Sequence, residues 1–385
     1  MVSPQSTKDL SKCAGLPRLG RMRAARIAVT IFFVACLLIT LTAGLWPFSS
    51  PINDAAWVPN ANGIRFSSRG TAFSEGPLEI TDHGSKACSL EVWLQPTIMW
   101  TTGTPLSFYD SSTERLFIIR QEYIDLVLQL VDPERLGSDG SRSLSVAGVF
   151  RKKAFLVAIT SDGRKTSIYV DGRLLAESPN FSLSSQDLSG RLILGNAPLR
   201  NHSWPGAVKG LAIYSTELSA KQVLEDYRDW TEGRAAALAT AKDLSAIYLF
   251  REHSGNVIHD ARAPGVNLQI PEKFVTVDQL HFELPGSEAH ADGHYLGNIV
   301  FNVVGFMPLG FAAALFFAMF YGARRTVVFA TLVGATTSLA IEYFQAYLPT
   351  RYSGVTDLIS NPLGAYVGAM IYCAVAKLAI KKNWG

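Results

Sequence analysis

Cysteine is scarce and scattered, with 4 in 385 residues. Cys36 and Cys373 fall inside apolar runs and Cys13 lies in a basic N-terminal segment, which leaves Cys88 alone in the long polar stretch. No disulfide framework can be drawn from such a set, and the lone thiol reads as a small apolar core side chain. Charge is short as well. Asp, Glu, Lys and Arg make up 17% of the chain and the formal net charge is only +3, with no basic run away from the apolar segments. Nucleic acid is therefore excluded as a partner. Hydrophobic residues, by contrast, make up 48% and the mean hydropathy is +0.17. That is too apolar for an ordinary soluble protein and too polar for a pure membrane bundle, so the chain reads as a mixture of the two.

Four apolar runs are long enough to span a bilayer, for which about 20 residues suffice. The first is Ile27 to Phe48, behind a basic tail (1–26) that holds Lys8, Lys12, Arg18, Arg21, Arg23 and Arg26. It exceeds the roughly 7–15 apolar residues of a cleaved signal peptide, so a spanning helix over 27–48 is the better reading. Three more runs follow late in the chain, over 294–321, 326–348 and 358–380. Arg324-Arg325 and Lys381-Lys382 share a side with the basic tail, whereas Arg351 stands in the opposite loop. By the preference of Lys and Arg for the cytoplasm, both termini are cytoplasmic and the polar stretch after the first run lies outside.

That stretch has the punctuation of an all-β domain, expected over 55–232. Cys88 to Pro96 alternates, with Leu90, Val92 and Leu94 on one face, and Thr104 to Phe108 and Leu116 to Ile119 read as further strands. In Phe155 to Leu175, Asp162-Gly163 and Asp171-Gly172 supply the positive φ of tight turns between β-rich runs. Those aspartates therefore read as turn residues rather than catalytic ones. Arg191 to Gly195 and Gly206 to Tyr214 are two more strands, and an amphipathic helix follows from Ser219 to Trp230. Many short strands separated by turns indicate a sandwich.

The sequences YVDGRLL, LILGN and WPGAVKGLAIYSTELSAKQVLEDY, over roughly Phe66 to Tyr227, resemble the laminin-G-like, concanavalin A-like jelly roll, with Ser219 capping its closing helix. Ala246 to Asp260 resembles the opening strand and turn of the same kind of domain. The segment 233–291 either adds strands to the sandwich or starts a small unit of its own. The resemblance implies sugar binding. Hydrolysis would need two carboxyls about 5–9.5 Å apart, and no E-x-D-x-x-E arrangement occurs on an expected strand. Glu91 stands among apolar neighbours and Glu225-Asp226 on the closing helix, so a binding module is favoured over an enzyme. Trp93, Trp100, Trp204 and Tyr109 are candidates to stack on a sugar, with sandwich core as the alternative. Ca²⁺ would need converging oxygens, and Asp110, Asp162 and Asn196 give no sign of convergence. No cofactor is expected.

The last three apolar runs, within 292–380, carry polar residues at helical spacing. Asn298, Asn302 and Gly305 fall at i, i+4 and i+7, as do Ser338, Glu342 and Gln345, and Asp357, Asn361, Gly364 and Gly368 continue the pattern. All lie toward the outer side in the topology above. A membrane carboxylate costs roughly 2.5–3.5 kcal/mol near the bilayer centre, which marks Glu342 for a site. Asn302, Gln345, Arg351 and Asn361 are its available partners. Helix–helix glue, with Gly364 and Gly368 permitting close approach, is the structural alternative. FNVVGFMPLGF and SLAIEYFQAYLPTRYSGVTDLISNPLGAYVG resemble the N-x-x-x-F-x-P-x-G and E-x-x-Q…R-x-x-x-x-x-D-x-x-x-N-x-x-G pattern of the VanZ-like family. That resemblance implies an inner-membrane envelope protein associated with glycopeptide resistance.

The expected fold is thus a multidomain membrane protein: a concanavalin A-like all-β sandwich joined to an α-helical transmembrane bundle of four helices. Its expected partners are the lipid bilayer and an envelope glycan, exopolysaccharide or cell wall, with polysaccharide-export machinery as a third. The competing expectation is transport of, or chemistry on, a lipid-linked or amphipathic envelope precursor or a glycopeptide antibiotic at Glu342, Arg351, Asp357 and Asn361.

Overall fold

The computed structural model describes residues 16–80, 86–133, 140–199, 201–262, 265–278, 295–348, 351 and 353–382. Expectations for Lys8, Lys12 and Cys13, and for the side chains of Arg18, Arg21, Lys381 and Lys382, lie outside the described residues. The chain divides into two compact units, residues 50–279 and residues 1–49 with 280–385. The long α-helices are α1 (Leu16–Leu45), α2 (Ala220–Thr231), α3 (Tyr295–Phe317), α4 (Ala323–Gln345) and α5 (Val355–Lys382).

Unit 50–279 is a sandwich of two antiparallel sheets. Its strands are β1 (Ala56–Trp57), β2 (Ile64–Phe66), β3 (Ala72–Ser74), β4 (Cys88–Pro96), β5 (Thr102–Asp110), β6 (Arg115–Glu122), β7 (Asp125–Val131) and β8 (Ser141–Val146). They continue as β9 (Phe155–Ser161), β10 (Thr166–Val170), β11 (Arg173–Ser178), β12 (Arg191–Leu194), β13 (Gly206–Tyr214), β14 (Leu244–Tyr248), β15 (Val257–Ile258) and β16 (Leu268–Gln269). One sheet runs β1-β2-β13-β4-β9-β10-β11, with β14 also on β13; the other runs β15-β16-β3-β12-β5-β6-β7-β8. The segment after α2 therefore adds β14 to one sheet and β15 and β16 to the other.

Alternation builds the inner core. Leu90, Val92 and Leu94 of β4 meet Phe155, Val157 and Ile159 of β9, and Leu106, Phe108, Phe117 and Ile119 face them from the second sheet. The outer face of the first sheet is buried too. Leu156, Ala158, Ala212 and Tyr214, with Leu244 and Ile247 of the neighbouring β14, pack against Val223 and Trp230 of α2 and against Leu238. Ser219 caps α2 by accepting from the Gln222 N–H, the capping-box arrangement. The β10–β11 turn pairs Val170 with Arg173, and both Asp171 and Gly172 between them have positive φ, as a two-residue hairpin requires.

The second unit holds α1, α3, α4 and α5, with spans of 23 to 25 residues that are long and apolar enough to cross a membrane. α1 begins well before Ile27 and stops at Leu45. The preceding Leu and Arg residues propagate a helix readily, and Pro47 restricts Trp46 to extended backbone. α5 starts at Val355, ahead of the expected 358, with Asp357 in its first turn where a carboxylate is favoured. α3 and α5 pack through glycine: a side chain at Gly364 would overlap the Val303 carbonyl, one at Gly368 the Met307 carbonyl, and one at Gly310 the Ala365 carbonyl. α1 closes the other side, with Leu37 and Leu41 against Phe306, Leu309 and Ile341.

Candidate functional site

Three helices bring polar residues together in the bundle. Asn302 of α3 donates its amide to Asp357 Oδ1 on α5 at 2.6 Å. Asn361, one turn along α5, donates to Ser338 Oγ on α4 at 3.0 Å, and Ser338 donates in turn to the Asp357 carbonyl at 3.1 Å. Glu342 stands one turn beyond Ser338 and is 0% exposed. Its Oε2 accepts from the Gly354 N–H at 2.9 Å, and the Ser353 hydroxyl and Asp357 carboxyl lie beside it. Glu342 Oε1 and Asn361 Oδ1 are buried with no hydrogen-bond partner.

The other nominated residues have different places. Gln345 donates to the Gly44 carbonyl at 2.7 Å and so ties α4 to the end of α1. Arg351 donates from Nε to the Trp46 carbonyl at 3.0 Å, holding the loop after α4 against the segment after α1. Asn298 is exposed near the start of α3, and Gly305 faces open space. Of the evenly spaced face expected on α3, Asn302 reaches the cluster through Asp357. Ser353 and Gly354, which flank Glu342, come from a loop where no periodicity could point to them.

On the sandwich, the four nominated aromatics separate. Trp204 is core, its indole N–H donating to Gln121 Oε1 at 2.6 Å. Trp93 packs edge-on against Trp230 with ring centroids 6.4 Å apart. Tyr109 is buried and donates its hydroxyl to Asp278 at 2.7 Å. That buried, carboxylate-bound hydroxyl holds its proton well above the ordinary tyrosine range.

Trp100 alone of the four is solvent-facing, 73% exposed, and beside it stands Tyr123, 57% exposed, with centroids 6.1 Å apart. Tyr123 sits at φ 58° in the turn joining β6 to β7, a costly conformation for a bulky residue and one that persists only when its surroundings enforce it. Buried Gln121 enforces it: its amide donates to the carbonyls of Tyr123 (2.7 Å), Met99 (3.0 Å) and Ile98 (3.1 Å). One side chain thus fixes both loops that carry the pair.

Two carboxyls that the sequence left apart also meet, on the covered face of the sandwich. Glu91 Oε2 accepts from the Trp230 indole N–H at 2.9 Å, and the Tyr214 hydroxyl, beside Glu91, donates to Asp226 at 3.1 Å. Burial first, and the neighbouring Asp226 charge second, push Glu91 well above the usual carboxylate range. Burial likewise raises Asp226 to about 6. Asp110 and Asp162, by contrast, hold their charge below that range. Asp110 accepts chiefly from the Ser112 hydroxyl, and Asp162 from the N–H groups of Lys165 and Arg164. Asn196 Oδ1 accepts from the His202 N–H. Each of these three serves its own turn. Among the described residues, no group of three or more His, Cys, Asp or Glu is placed to hold a metal.

Residues 68–224 match the family model described as Concanavalin A-like lectin/glucanases superfamily, and residues 244–377 match the one described as VanZ/LLP1. One chain carries both domains. The VanZ-like match begins inside the sandwich, at β14, before it reaches the helices. The resemblances read from the motifs coincide with these matches. Among solved structures, the chain is similar to the Ruminococcus gnavus IT-sialidase CBM40 bound to alpha2,3 sialyllactose, at 14% identity over 43% of this chain and 95% of that one, with a TM-score of 0.32. It is also similar to a native heptameric SAP-like pentraxin from Limulus polyphemus, at 13% identity over 58% and 95%, with a TM-score of 0.32. No curated protein matches the chain.

Proposed function

We propose that this VanZ-like chain is an envelope protein of the inner membrane whose concanavalin A-like sandwich, on the outer side, binds a glycan of the cell wall or an exopolysaccharide. The observation that carries the reading is the Trp100–Tyr123 pair. Two aromatic rings stand in solvent on loops fixed from beneath by Gln121, and among the described residues of the domain they are the aromatics in its set of exposed large apolar side chains. Such rings present apolar faces to a sugar at small entropic cost, and exposed aromatics fixed in place are the residues that dominate recognition surfaces. The outer placement rests on Lys and Arg lying at the opposite ends of the helices.

The test is binding of the full-length protein in lipid nanodiscs to an array of envelope polysaccharides, beside Trp100→Ala and Tyr123→Ala. Loss of one ring costs about 1.4 kcal/mol or more, a tenfold drop in affinity. Wild-type binding that survives both substitutions unchanged would remove the pair from the site. A second reading, handling of a lipid-linked or amphipathic envelope precursor in the bundle, is favoured by the buried, unpartnered oxygen of Glu342.

A further inference from the structure

The cluster around Glu342 is rich in oxygen and poor in donors. Glu342 receives one N–H, from Gly354, and no cationic side chain pairs with it among the described residues. Its second oxygen and the Asn361 amide oxygen (3% exposed) are buried without a partner, and the Ser353 hydroxyl (residue 1% exposed) is buried beside the carboxyl. Asn361 cannot turn its amide nitrogen inward without giving up Ser338, to which that nitrogen already donates. The Asp357 carboxyl adds a second acidic group next to Glu342. A buried carboxyl keeps its proton unless a positive charge is paired with it, and buried acceptors demand a donor or a positive charge.

A ligand that completes this set must bring positive charge and accept several oxygens at once, which describes a hard metal cation. No third acidic, His or Cys ligand joins the two carboxyls among the described residues. A donor set of few carboxylates with neutral hydroxyl and amide oxygens suits a monovalent ion. We propose that Glu342, Ser353 and Asn361 bind a sodium-sized monovalent cation between α4, α5 and the loop that joins them. The proposal is independent of glycan binding by the sandwich.

The experiment is thermal unfolding of the purified full-length protein in detergent, at fixed pH and ionic strength, with choline chloride replaced stepwise by NaCl. A saturable rise of the bundle's midpoint with Na⁺ is expected, because a ligand bound only to the folded state stabilises it. Glu342→Gln should abolish the rise, and Ser353→Ala, which keeps both carboxyls, should raise the half-saturating Na⁺ concentration about tenfold. Equal midpoints in choline and Na⁺ would overturn the site, as would a midpoint that follows pH alone or a response to CaCl₂ without one to NaCl. If Glu342→Gln fails to fold, Ser353→Ala decides, and an unchanged half-saturation in that variant refutes the assignment.

Discussion

Replacing Glu91 by Gln should stabilise the sandwich above neutral pH and leave it unchanged in mild acid. Glu91 is wholly buried and accepts from the Trp230 indole N–H. An amide keeps that acceptor and gains an N–H aimed at Tyr214, while removing a charge that burial and Asp226 both oppose. The sign follows from the raised value. A carboxyl whose folded pKa lies above its unfolded one adds stability below the unfolded value, and that contribution is lost as pH climbs through the folded one. Asp226, the less buried partner, rises from 3.8 to about 6, and each pH unit of that gap is worth about 1.4 kcal/mol. That is about 3 kcal/mol before solvent screening, and roughly 1.5 kcal/mol after allowing for partial exposure.

Glu91 shifts in the same direction, with burial again the first cause. The Gln variant is therefore expected to melt above wild type at pH 8, each kcal/mol being worth about 2–4 °C for a domain of this size, and level with it at pH 5. Tryptophan fluorescence follows the transition directly, since Trp230 donates to the substituted group. Equal destabilisation of Glu91→Gln at both pH values would refute the reasoning. Glu91 would then be an ionised carboxylate whose charge the fold uses.

Three further outcomes are expected. Gln121→Ala removes two amide N–H donors shared among three carbonyls and the acceptor of Trp204; at about 1 kcal/mol per bond it should cost about 3 kcal/mol in denaturant titration and weaken glycan binding without touching either exposed ring. Gly364→Leu drives a side chain into the Val303 carbonyl, and the bundle should lose its monodisperse folded form in size-exclusion chromatography, since overpacking a close contact costs about 1–3 kcal/mol even in forgiving cores. Asn53→Ala removes an amide that donates to the carbonyls of Thr71 and Pro271, each at 2.8 Å. It should cost about 2 kcal/mol by calorimetry and speed proteolysis near both ends of the sandwich.

Sequence pattern carried much of the architecture, for reasons visible in particular residues. Apolar length located all four membrane-grade helices, and the period-two face of Leu90, Val92 and Leu94 located β4 and its inward side. Helical spacing was enough to single out Asn302, Ser338, Glu342, Asp357 and Asn361, because residues on one helix face share a neighbour. It could not reveal that Ser353 and Gly354 complete the surroundings of Glu342, since a loop has no period. Nor could it pair Glu91 with Trp230, 139 positions away. Glu91 read as isolated because period two predicts a solvated outer face, whereas α2 covers that face. Tyr123 passed unnoticed because its signal is a positive φ rather than a residue pattern.

The sandwich is inserted between α1 and α3, and its own edges explain how the insertion is closed. Asn53 N–H donates to the Glu272 carbonyl and Phe274 N–H to the Pro51 carbonyl, at 3.1 and 2.9 Å, and Ile52 bridges Lys273. Entering and leaving chains are thus zipped antiparallel, with the Asn53 amide tying the zipper to Thr71 and Pro271. β15 and β16 then extend the second sheet from β3, while β14 fills the edge of β13 that short β2 leaves open. These contacts that close the domain run between its own residues. The strands after α2 are what achieve this, which gives a physical reason for the sandwich to extend past the end of the lectin-like match and into the stretch where the VanZ-like match has already begun.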